Sequence, residues 1–239
     1  MRALVVQHDH VSPPGPVGDR LAERGFEVVE LVVVPEDRHQ TPDVPGDFPD
    51  PREWDLIVPM GAPWSVDDPK VASWVGPELL MLADAHDAGV PILGICFGGQ
   101  ALAAALGGGV ERSPRPEMGW VEIETDDPAL VGPGPWFHFH YDRWILPPGA
   151  EEIARDAVCS QAFTLGRSLG VQFHPEITPT EFGLWMAEGG DAHLRAEGVD
   201  PDAVMVEIKR TEADSVRRTH ALVDAFLDRV AVRTPGSGR

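Results

Sequence analysis

Residues 91–100 read PILGICFGGQ, and this stretch decides the fold. An apolar, strand-like run leads directly into a turn at residues 94–98, after which a helix begins. A reactive residue on such a strained strand-to-helix turn forms a nucleophile elbow, and glycines on either side let the backbone approach itself closely. A thiol at the start of a helix also feels the positive end of the helix dipole, which favours the thiolate. The sequence therefore predicts Cys96 as a nucleophile, and the alternative is a small buried core cysteine.

The elements around this turn alternate between strand and helix. Apolar runs predict buried strands at residues 3–6, 26–34, 56–60 and 91–95. Apolar residues at helical spacing predict helices at residues 17–21, 71–86 and 100–106. We expect the second of these to break at Gly76-Pro77, with Pro77 opening its longer part. This order predicts an α/β fold with a mostly parallel central sheet that is flanked by helices on both faces.

The pattern changes after Gly107. Short strands at residues 119–124, 151–154 and 169–173 predict a small antiparallel extension, and amphipathic helices return between Val204 and Val230.

Two stretches lack periodicity. Residues 35–53 form a loop with five prolines, which either borders a site or is a surface excursion. The other stretch is the C-terminal end. We expect a single domain over residues 1–232 and a disordered tail at residues 233–239.

Composition excludes several classes of protein. The 239 residues carry 19 Lys+Arg and 39 Asp+Glu, and the net charge of −20 argues against a surface for nucleic acid or anionic membrane. No apolar run approaches the ~18–20 residues of a membrane span, and the N-terminal run is typical of a buried strand rather than a signal peptide. Two cysteines make no disulfide framework, so we expect a cytoplasmic protein.

A histidine and a carboxylate stand at the end of the last predicted strand, in residues 169–178, LGVQFHPEIT. Residues two apart on a strand point the same way, so His174 and Glu176 should share a side, and Pro175 keeps His174 extended. A cysteine nucleophile needs such a pair, because the imidazole takes the thiol proton and the carboxylate fixes the imidazole tautomer. Taken alone, the pair is more often structural, and its meaning comes from its occurrence together with the elbow.

A third segment, VPMGAPWSVD at residues 58–67, ends a predicted strand in the turn Gly61-Ala62-Pro63. Such a turn can aim backbone N–H groups at a developing oxyanion, and by itself it would be a tight strand-to-helix connection. Trp64, beside the turn, either shapes a substrate entrance or packs in the core.

Together these three segments resemble the class I glutamine amidotransferase domain, over nearly the whole chain up to Glu176. GICFGGQ is similar to the family's G-x-C-x-G-x-Q elbow, and FHPE is similar to its second signature. The resemblance implies a flavodoxin-like α/β fold. Residues 137–147, FHFHYDRWILP, and residues 159–163, CSQAF, resemble the free-standing branch that is similar to the glutaminase domain of GMP synthase.

The resemblance implies a Cys-His-Glu triad, in which Cys96 attacks, His174 moves protons and Glu176 orients the histidine. It also implies an oxyanion hole formed by the backbone N–H groups of Ala62 and Phe97. The family usually has Gly-Gly-Pro at this hole, and here the middle residue is Ala62. Alanine keeps the N–H group but lacks glycine's freedom at positive φ.

The resemblance also implies a glutamine pocket. We expect Gly61, Gln100, His140 and Asp142 to bind substrate, and for His140 and Asp142 the alternative is that they hold a loop together. Residues 138–142 also match H-x-H-x-D, part of a zinc pattern that requires a further histidine where this sequence has Arg143. We therefore expect no metal and no cofactor.

The predicted function is a thiol amidohydrolase. It would hydrolyse the side-chain amide of glutamine through a γ-glutamyl thioester and release ammonia for an acceptor that the sequence does not name. The predicted partners are glutamine, or another γ-glutamyl small molecule, and a possible synthetase. Two alternatives stay open, a self-sufficient γ-glutamyl hydrolase and a non-catalytic descendant of the fold. Cys159 should be buried and unreactive in either case.

Overall fold

The computed structural model describes residues 1–232 and contains ten strands in two sheets. The strands are β1 (Arg2–Gln7), β2 (Glu27–Val32), β3 (Leu56–Pro59), β4 (Ile92–Ile95), β5 (Gly109–Val121), β6 (Glu124–Thr125), β7 (Trp136–Ile145), β8 (Glu151–Arg155), β9 (Ser160–Leu165) and β10 (Ser168–Val171). The helices are α1 (Gly15–Glu23), α2 (Ala72–Asp87), α3 (Phe97–Ala105), α4 (Pro179–Trp185), α5 (Asp191–Ala196) and α6 (Pro201–Ala225). A kinked segment, Met186–Gly190, joins α4 to α5, and a wider helical turn, Phe226–Val230, extends α6.

The main sheet has eight strands in the order β2-β1-β3-β4-β10-β9-β8-β6. The first five strands pair in parallel, and β10, β9, β8 and β6 pair antiparallel. The parallel part has the strand order of flavodoxin-like folds. The predicted fold class, a mostly parallel sheet with a small antiparallel extension, is therefore confirmed.

The pleat of the strands divides the core into two layers. In β1, Ala3 and Val5 face one side, where α1 and α6 pack, whereas Leu4 and Val6 face the other side, where α2 and α3 pack. Strand β1 beyond Arg2 is buried on both faces, and so are β3 and β4, which explains why these three strands are continuous apolar runs rather than alternating ones. The edge strand β2 is partly exposed. No helix in the described part of the chain is long and apolar enough to cross a membrane.

The connection between β4 and α3 is the tightest in the fold. A Cβ atom on Gly98 would lie 2.0 Å from the carbonyl oxygen of Pro59, and one on Gly94 would lie 2.7 Å from the carbonyl oxygen of Gly98. The Gly98 N–H donates to the Met60 carbonyl at 2.9 Å. The first turn of α3 therefore lies directly against the end of β3, which positions the elbow beside the loop that follows β3.

The second sheet pairs β5 with β7, and the register shifts between Arg112 and Glu117. Strand β7 was not predicted, although residues 137–142 alternate between aromatic and polar side chains as in a strand. The usual orientation is reversed, because Phe139 and Tyr141 are partly exposed. His138 and His140 are buried although they are polar, and they lie on this strand. The Phe137 carbonyl of β7 accepts a hydrogen bond from the His174 N–H at 2.8 Å, so this sheet also holds the segment after β10.

Two expectations about single elements are wrong. Helix α2 runs without a break through Gly76-Pro77. Pro77 lies in its second turn and removes one backbone hydrogen bond, while Trp74 and Val75 anchor the preceding turn by their burial. Strand β10 is not confined to the antiparallel extension, because it pairs in parallel with β4 on its other edge. Residues 35–53 contain two short 3-10 turns, Glu36–Arg38 and Pro51–Glu53. The predicted tail at residues 233–239 lies outside the described residues.

Two glycine-to-alanine changes test the packing at the elbow. Gly98→Ala should lower the free energy of unfolding by about 3 kcal/mol, because the new methyl group overlaps backbone that cannot move independently. Gly183→Ala, within α4, should raise it by about 1 kcal/mol, because a Cβ atom there meets nothing within 4 Å and alanine is the better helix former. Thermal or denaturant unfolding would measure both, and equal effects at the two sites would contradict the tight contact.

Candidate active site

Cys96 lies at the turn between β4 and α3 in a strained backbone conformation, with φ +50° and ψ −108°. It is the one non-glycine residue with positive φ among residues 1–232. Two hydrogen bonds hold the backbone there: the Cys96 N–H donates to the Val171 carbonyl at 2.8 Å, and the Cys96 carbonyl accepts from the Gln100 N–H at 2.9 Å. Such strain persists only where the surroundings enforce it, and it is concentrated at functional sites.

His174 and Glu176 meet directly. The distance between His174 Nδ1 and Glu176 Oε1 is 2.7 Å, and both side chains are buried. Because the carboxylate accepts, Nδ1 carries a proton and the imidazole is held with Nε2 free. Nε2 has no hydrogen-bond partner within the described residues.

His174 and Glu176 do not share the face of a strand, although the sequence predicted that they would. Strand β10 ends at Val171, so His174 and Glu176 both lie in the turn beyond it. Tertiary contacts hold this turn instead. The His174 N–H bonds to β7, as described above, and the Thr219 hydroxyl of α6 donates to the Pro175 carbonyl at 2.5 Å.

The charge of the histidine follows from its neighbours. Burial opposes protonation of His174, but electrostatic attraction by Cys96 and Glu176, together with the hydrogen bond to Glu176, outweighs it and raises the pKa of His174 to about 10. The imidazole therefore keeps both protons at neutral pH. An imidazole that carries both protons can donate the one on Nε2.

Two backbone N–H groups beside Cys96 have no acceptor. They belong to Ala62, in the loop after β3, and to Phe97, the first residue of α3, and neither donates to any acceptor within residues 1–232. Gly61 packs against the histidine, since a Cβ atom there would lie 2.9 Å from His174 Cε1. A side chain at Gly61 would displace the imidazole, whereas the alanine at position 62 fits with negative φ.

These groups open into one cavity of about 520 Å³. All the residues predicted for the site except Glu176 line it: Gly61, Ala62, Cys96, Phe97, Gln100, His140, Asp142 and His174. Trp64 lines it as well, and so does His39 from the loop at residues 35–53. This volume lies within the usual range of small-molecule sites and leaves room for more than glutamine alone.

The side chain of Gln100 is held in place rather than free. Its Nε2 donates to the Asp142 carbonyl at 2.9 Å and to Gln172 Oε1 at 3.3 Å. Gln172 was not predicted, although its amide lies 3.7 Å from the Cys96 sulfur and its side chain is fully buried. The signal for it was a glutamine that interrupts the apolar run at residues 169–173.

The H-x-H-x-D segment contributes to a buried polar cluster. His140 Nε2 lies 3.3 Å from Glu117 Oε2 and 3.3 Å from His138 Nδ1, while His140 Nδ1 donates to the Asp142 carbonyl at 3.1 Å. Donor atoms of Glu117, His138 and His140 lie within 4.8 Å of one another and could together hold a metal ion. The Asp142 side chain is not among them, and it faces Arg112 at 3.4 Å instead.

Cys159 lies immediately before β9 and is buried. Burial, together with the negative charges of Glu117 and Asp156, raises the pKa of its thiol far above the usual range. The two cysteines of the chain therefore have opposite environments, because only Cys96 faces a protonated histidine.

Comparison with known proteins identifies the family of this chain. The sequence model of the family "Glutamine amidotransferase class-I" matches residues 19–190. The chain therefore belongs to the class I glutamine amidotransferase family. GMP synthase [glutamine-hydrolyzing] of Aeropyrum pernix is 41% identical over 141 residues, which cover 54% of this chain and 28% of the relative. The corresponding enzyme of Thermus thermophilus is 32% identical over 179 residues, which cover 70% of this chain and 34% of the relative.

The chain thus spans about a third or less of the length of these relatives. Solved structures match it over nearly its whole length. A glutamine amidotransferase from Thermotoga maritima superposes with a TM-score of 0.80 at 23% identity, covering 95% of this chain and 98% of that one. A glutamine amidotransferase from Methylobacillus flagellatus superposes with a TM-score of 0.77 at 24% identity, covering 100% of this chain and 98% of that one. At these identities the likeness shows the fold.

The strain at the elbow is testable without any activity assay. Because φ is positive at Cys96, Cys96→Gly should be about 1 kcal/mol more stable than Cys96→Ala, which corresponds to roughly 2–4 °C in Tm. At Cys159, where φ is not positive, the order should be reversed. Thermal unfolding of the four variants gives both comparisons, and an alanine variant that is the more stable at position 96 would refute the strain.

Proposed function

We propose that the protein hydrolyses the side-chain amide of glutamine with a Cys-His-Glu triad and releases ammonia. The observation that carries the proposal is the arrangement at the elbow. A cysteine in strained backbone lies beside a protonated histidine that is bonded to a buried carboxylate, and two unpaired backbone N–H groups flank it. Membership of the class I glutamine amidotransferase family supports the same chemistry.

In the proposed reaction, the Cys96 thiolate attacks the amide carbon of glutamine. The Ala62 and Phe97 N–H groups stabilise the oxyanion of the tetrahedral intermediate. His174 Nε2 donates its proton to the amide nitrogen. The C–N bond then breaks, ammonia departs, and a γ-glutamyl thioester remains on Cys96. Water then attacks the thioester while His174 takes its proton, and glutamate leaves as the thiolate and the imidazolium are restored.

Glu176 has a positioning role in this scheme. Its carboxylate holds the proton on His174 Nδ1, so that the other nitrogen, Nε2, is the one that exchanges protons with substrate. Gly61, Gln100, His140 and Asp142 are proposed to form the walls of the substrate pocket, since all four line the cavity. No metal or organic cofactor takes part in the proposed reaction.

The proposal includes an acceptor for the ammonia. The relatives named GMP synthase [glutamine-hydrolyzing] suggest a synthetase as the partner, in the cytoplasm. The size of the cavity favours a second candidate, hydrolysis of a γ-glutamyl amide whose leaving amine is larger than ammonia. The two candidates differ in substrate and share the triad. Hydrolysis of γ-glutamyl dipeptides in preference to glutamine by the purified protein would favour the second.

Covalent labelling tests the proposal. A glutamine analogue with a chloroketone at the γ-carbon should alkylate Cys96 and leave Cys159 unmodified, because only Cys96 faces a protonated histidine and the pKa of Cys159 is raised. Excess glutamine or a γ-glutamyl dipeptide should protect Cys96. Peptide mass spectrometry identifies the modified residue, and labelling of Cys96 that neither ligand slows would refute a glutamine pocket.

Kinetics of three variants complete this test. Cys96→Ala should abolish hydrolysis, and His174→Ala should lower it by a similar factor. Glu176→Gln should lower it less, because the carboxylate acts through the histidine. Wild-type activity in all three variants would refute the triad. An inactive wild-type protein that the analogue also fails to label would favour a non-catalytic descendant.

The raised pKa of His174 predicts the alkaline limit of the reaction. Glutamine hydrolysis should fall as the pH passes about 10, because His174 then loses the proton that the leaving ammonia requires. Alkylation of Cys96 by iodoacetamide should not fall over the same range, because it needs only the thiolate. Circular dichroism at each pH verifies that the protein stays folded, and parallel loss of both reactions would contradict this assignment.

A further inference from the structure

A second buried histidine–glutamate pair lies behind the loop that follows β3. His8 follows β1, Glu78 lies in α2, and both side chains are fully buried. His8 Nε2 faces both carboxylate oxygens of Glu78, at 2.9 and 3.1 Å. The reaction proposed above does not use this pair. Burial of a histidine and a carboxylate is costly, so the pair calls for an explanation of its own.

The other nitrogen of His8 points at the loop that carries the proposed oxyanion hole. His8 Nδ1 lies 3.2 Å from the carbonyl oxygen of Gly61. A carbonyl oxygen only accepts, so Nδ1 carries a proton and donates it. The ring of His8 also packs edge-on against Phe97, with 4.6 Å between the ring centroids, and stacks on Trp74 at 5.5 Å. The imidazole is thus fixed in position by its packing as well as by Glu78.

Peptide geometry connects this hydrogen bond to catalysis. The Gly61 carbonyl and the Ala62 N–H belong to one planar, trans peptide unit, so they point in opposite directions. Holding the carbonyl towards His8 therefore turns the Ala62 N–H away from it. That N–H lies beside the cavity and has no acceptor within the described residues.

The alanine at position 62 acts in the same direction. Rotation of the peptide unit between residues 61 and 62 would change φ of Ala62, and positive φ costs a residue with a Cβ atom roughly 1–2 kcal/mol. Ala62 has negative φ in the structure. The departure from Gly-Gly-Pro and the His8 hydrogen bond therefore favour one and the same orientation of this peptide.

We propose that the buried His8–Glu78 pair is a positioning device that keeps the Ala62 N–H directed at the oxyanion. The inference rests on the proposed function. Glu78 orients the imidazole of His8, and His8 donates a hydrogen bond to the Gly61 carbonyl. The direction of that carbonyl determines the direction of the Ala62 N–H on the opposite side of the peptide. A hole held in this way is formed before substrate binds, so no partner is needed to turn the peptide.

The test compares two double variants that differ in one hydrogen-bond donor. H8N/E78Q keeps a donor, because asparagine Nδ2 occupies the place of His8 Nδ1, whereas H8L/E78Q puts a methyl group there. Both remove the charged pair, so the loss of an ion pair cancels in the comparison. Thermal unfolding verifies that both variants fold.

We expect H8L/E78Q to have a kcat for glutamine about 10- to 100-fold lower than that of H8N/E78Q, with KM within about twofold, since the donor acts on the transition state. Iodoacetamide alkylation of Cys96 should be equal in the two variants, because displacement of iodide from carbon forms no oxyanion. A change in protein folding or in the Cys96–His174 pair would alter the alkylation rate as well.

Crystal structures of the two variants give a second, activity-independent result. The Gly61 carbonyl should keep its direction in H8N/E78Q and should turn or lose order in H8L/E78Q. Equal kcat values in the two variants of an active enzyme would overturn the inference and leave the proposed function intact. If the wild-type protein hydrolyses nothing, the proposed function fails. Independently of activity, an unchanged direction of the Gly61 carbonyl in H8L/E78Q would overturn the positioning role of His8.

Discussion

The first turn of α3 lies against the end of β3 with no space for a side chain between them, and the site depends on this contact. Gly98 meets the Pro59 carbonyl, and its N–H bonds to Met60. The contact brings the loop after β3 to the start of α3, so the two unpaired N–H groups come from segments far apart in the chain. In the same turn Cys96 has positive φ, and its thiol faces the cavity.

Gly61 lies between two buried histidine–glutamate pairs. Its α-carbon faces His174, which is bonded to Glu176, and its carbonyl oxygen faces His8, which is bonded to Glu78. Removing either carboxylate would leave a buried histidine without its partner. The absence of a side chain at Gly61 lets His174 approach Cys96. The carbonyl of Gly61 accepts the hydrogen bond by which His8 holds the same loop.

The smaller sheet explains how a flavodoxin-like core acquires a binding site. Strand β7 supplies the carbonyl that holds the His174 backbone. It also supplies residues 139–142, which form one wall of the cavity. The Asp142 carbonyl in turn accepts from both Gln100 and His140. The parallel sheet therefore carries the proposed nucleophile, while the antiparallel sheet positions the proposed proton-transfer group and encloses the cavity.

The sequence by itself determined the features that depend on neighbouring residues. Continuous apolar runs specified the parallel strands, and the glycines around Cys96 specified a tight turn, because both follow from local sterics and burial. Only the tertiary structure decided where polar residues at distant positions would meet. His8 and Glu78 are 70 positions apart and give no local signal of pairing. His174 and Glu176 come together through bonds to β7 and α6 rather than through the pleat of a strand. A hydrogen bond between segments far apart in sequence depends on how the sheets and helices pack, and periodicity along one segment carries no information about that packing.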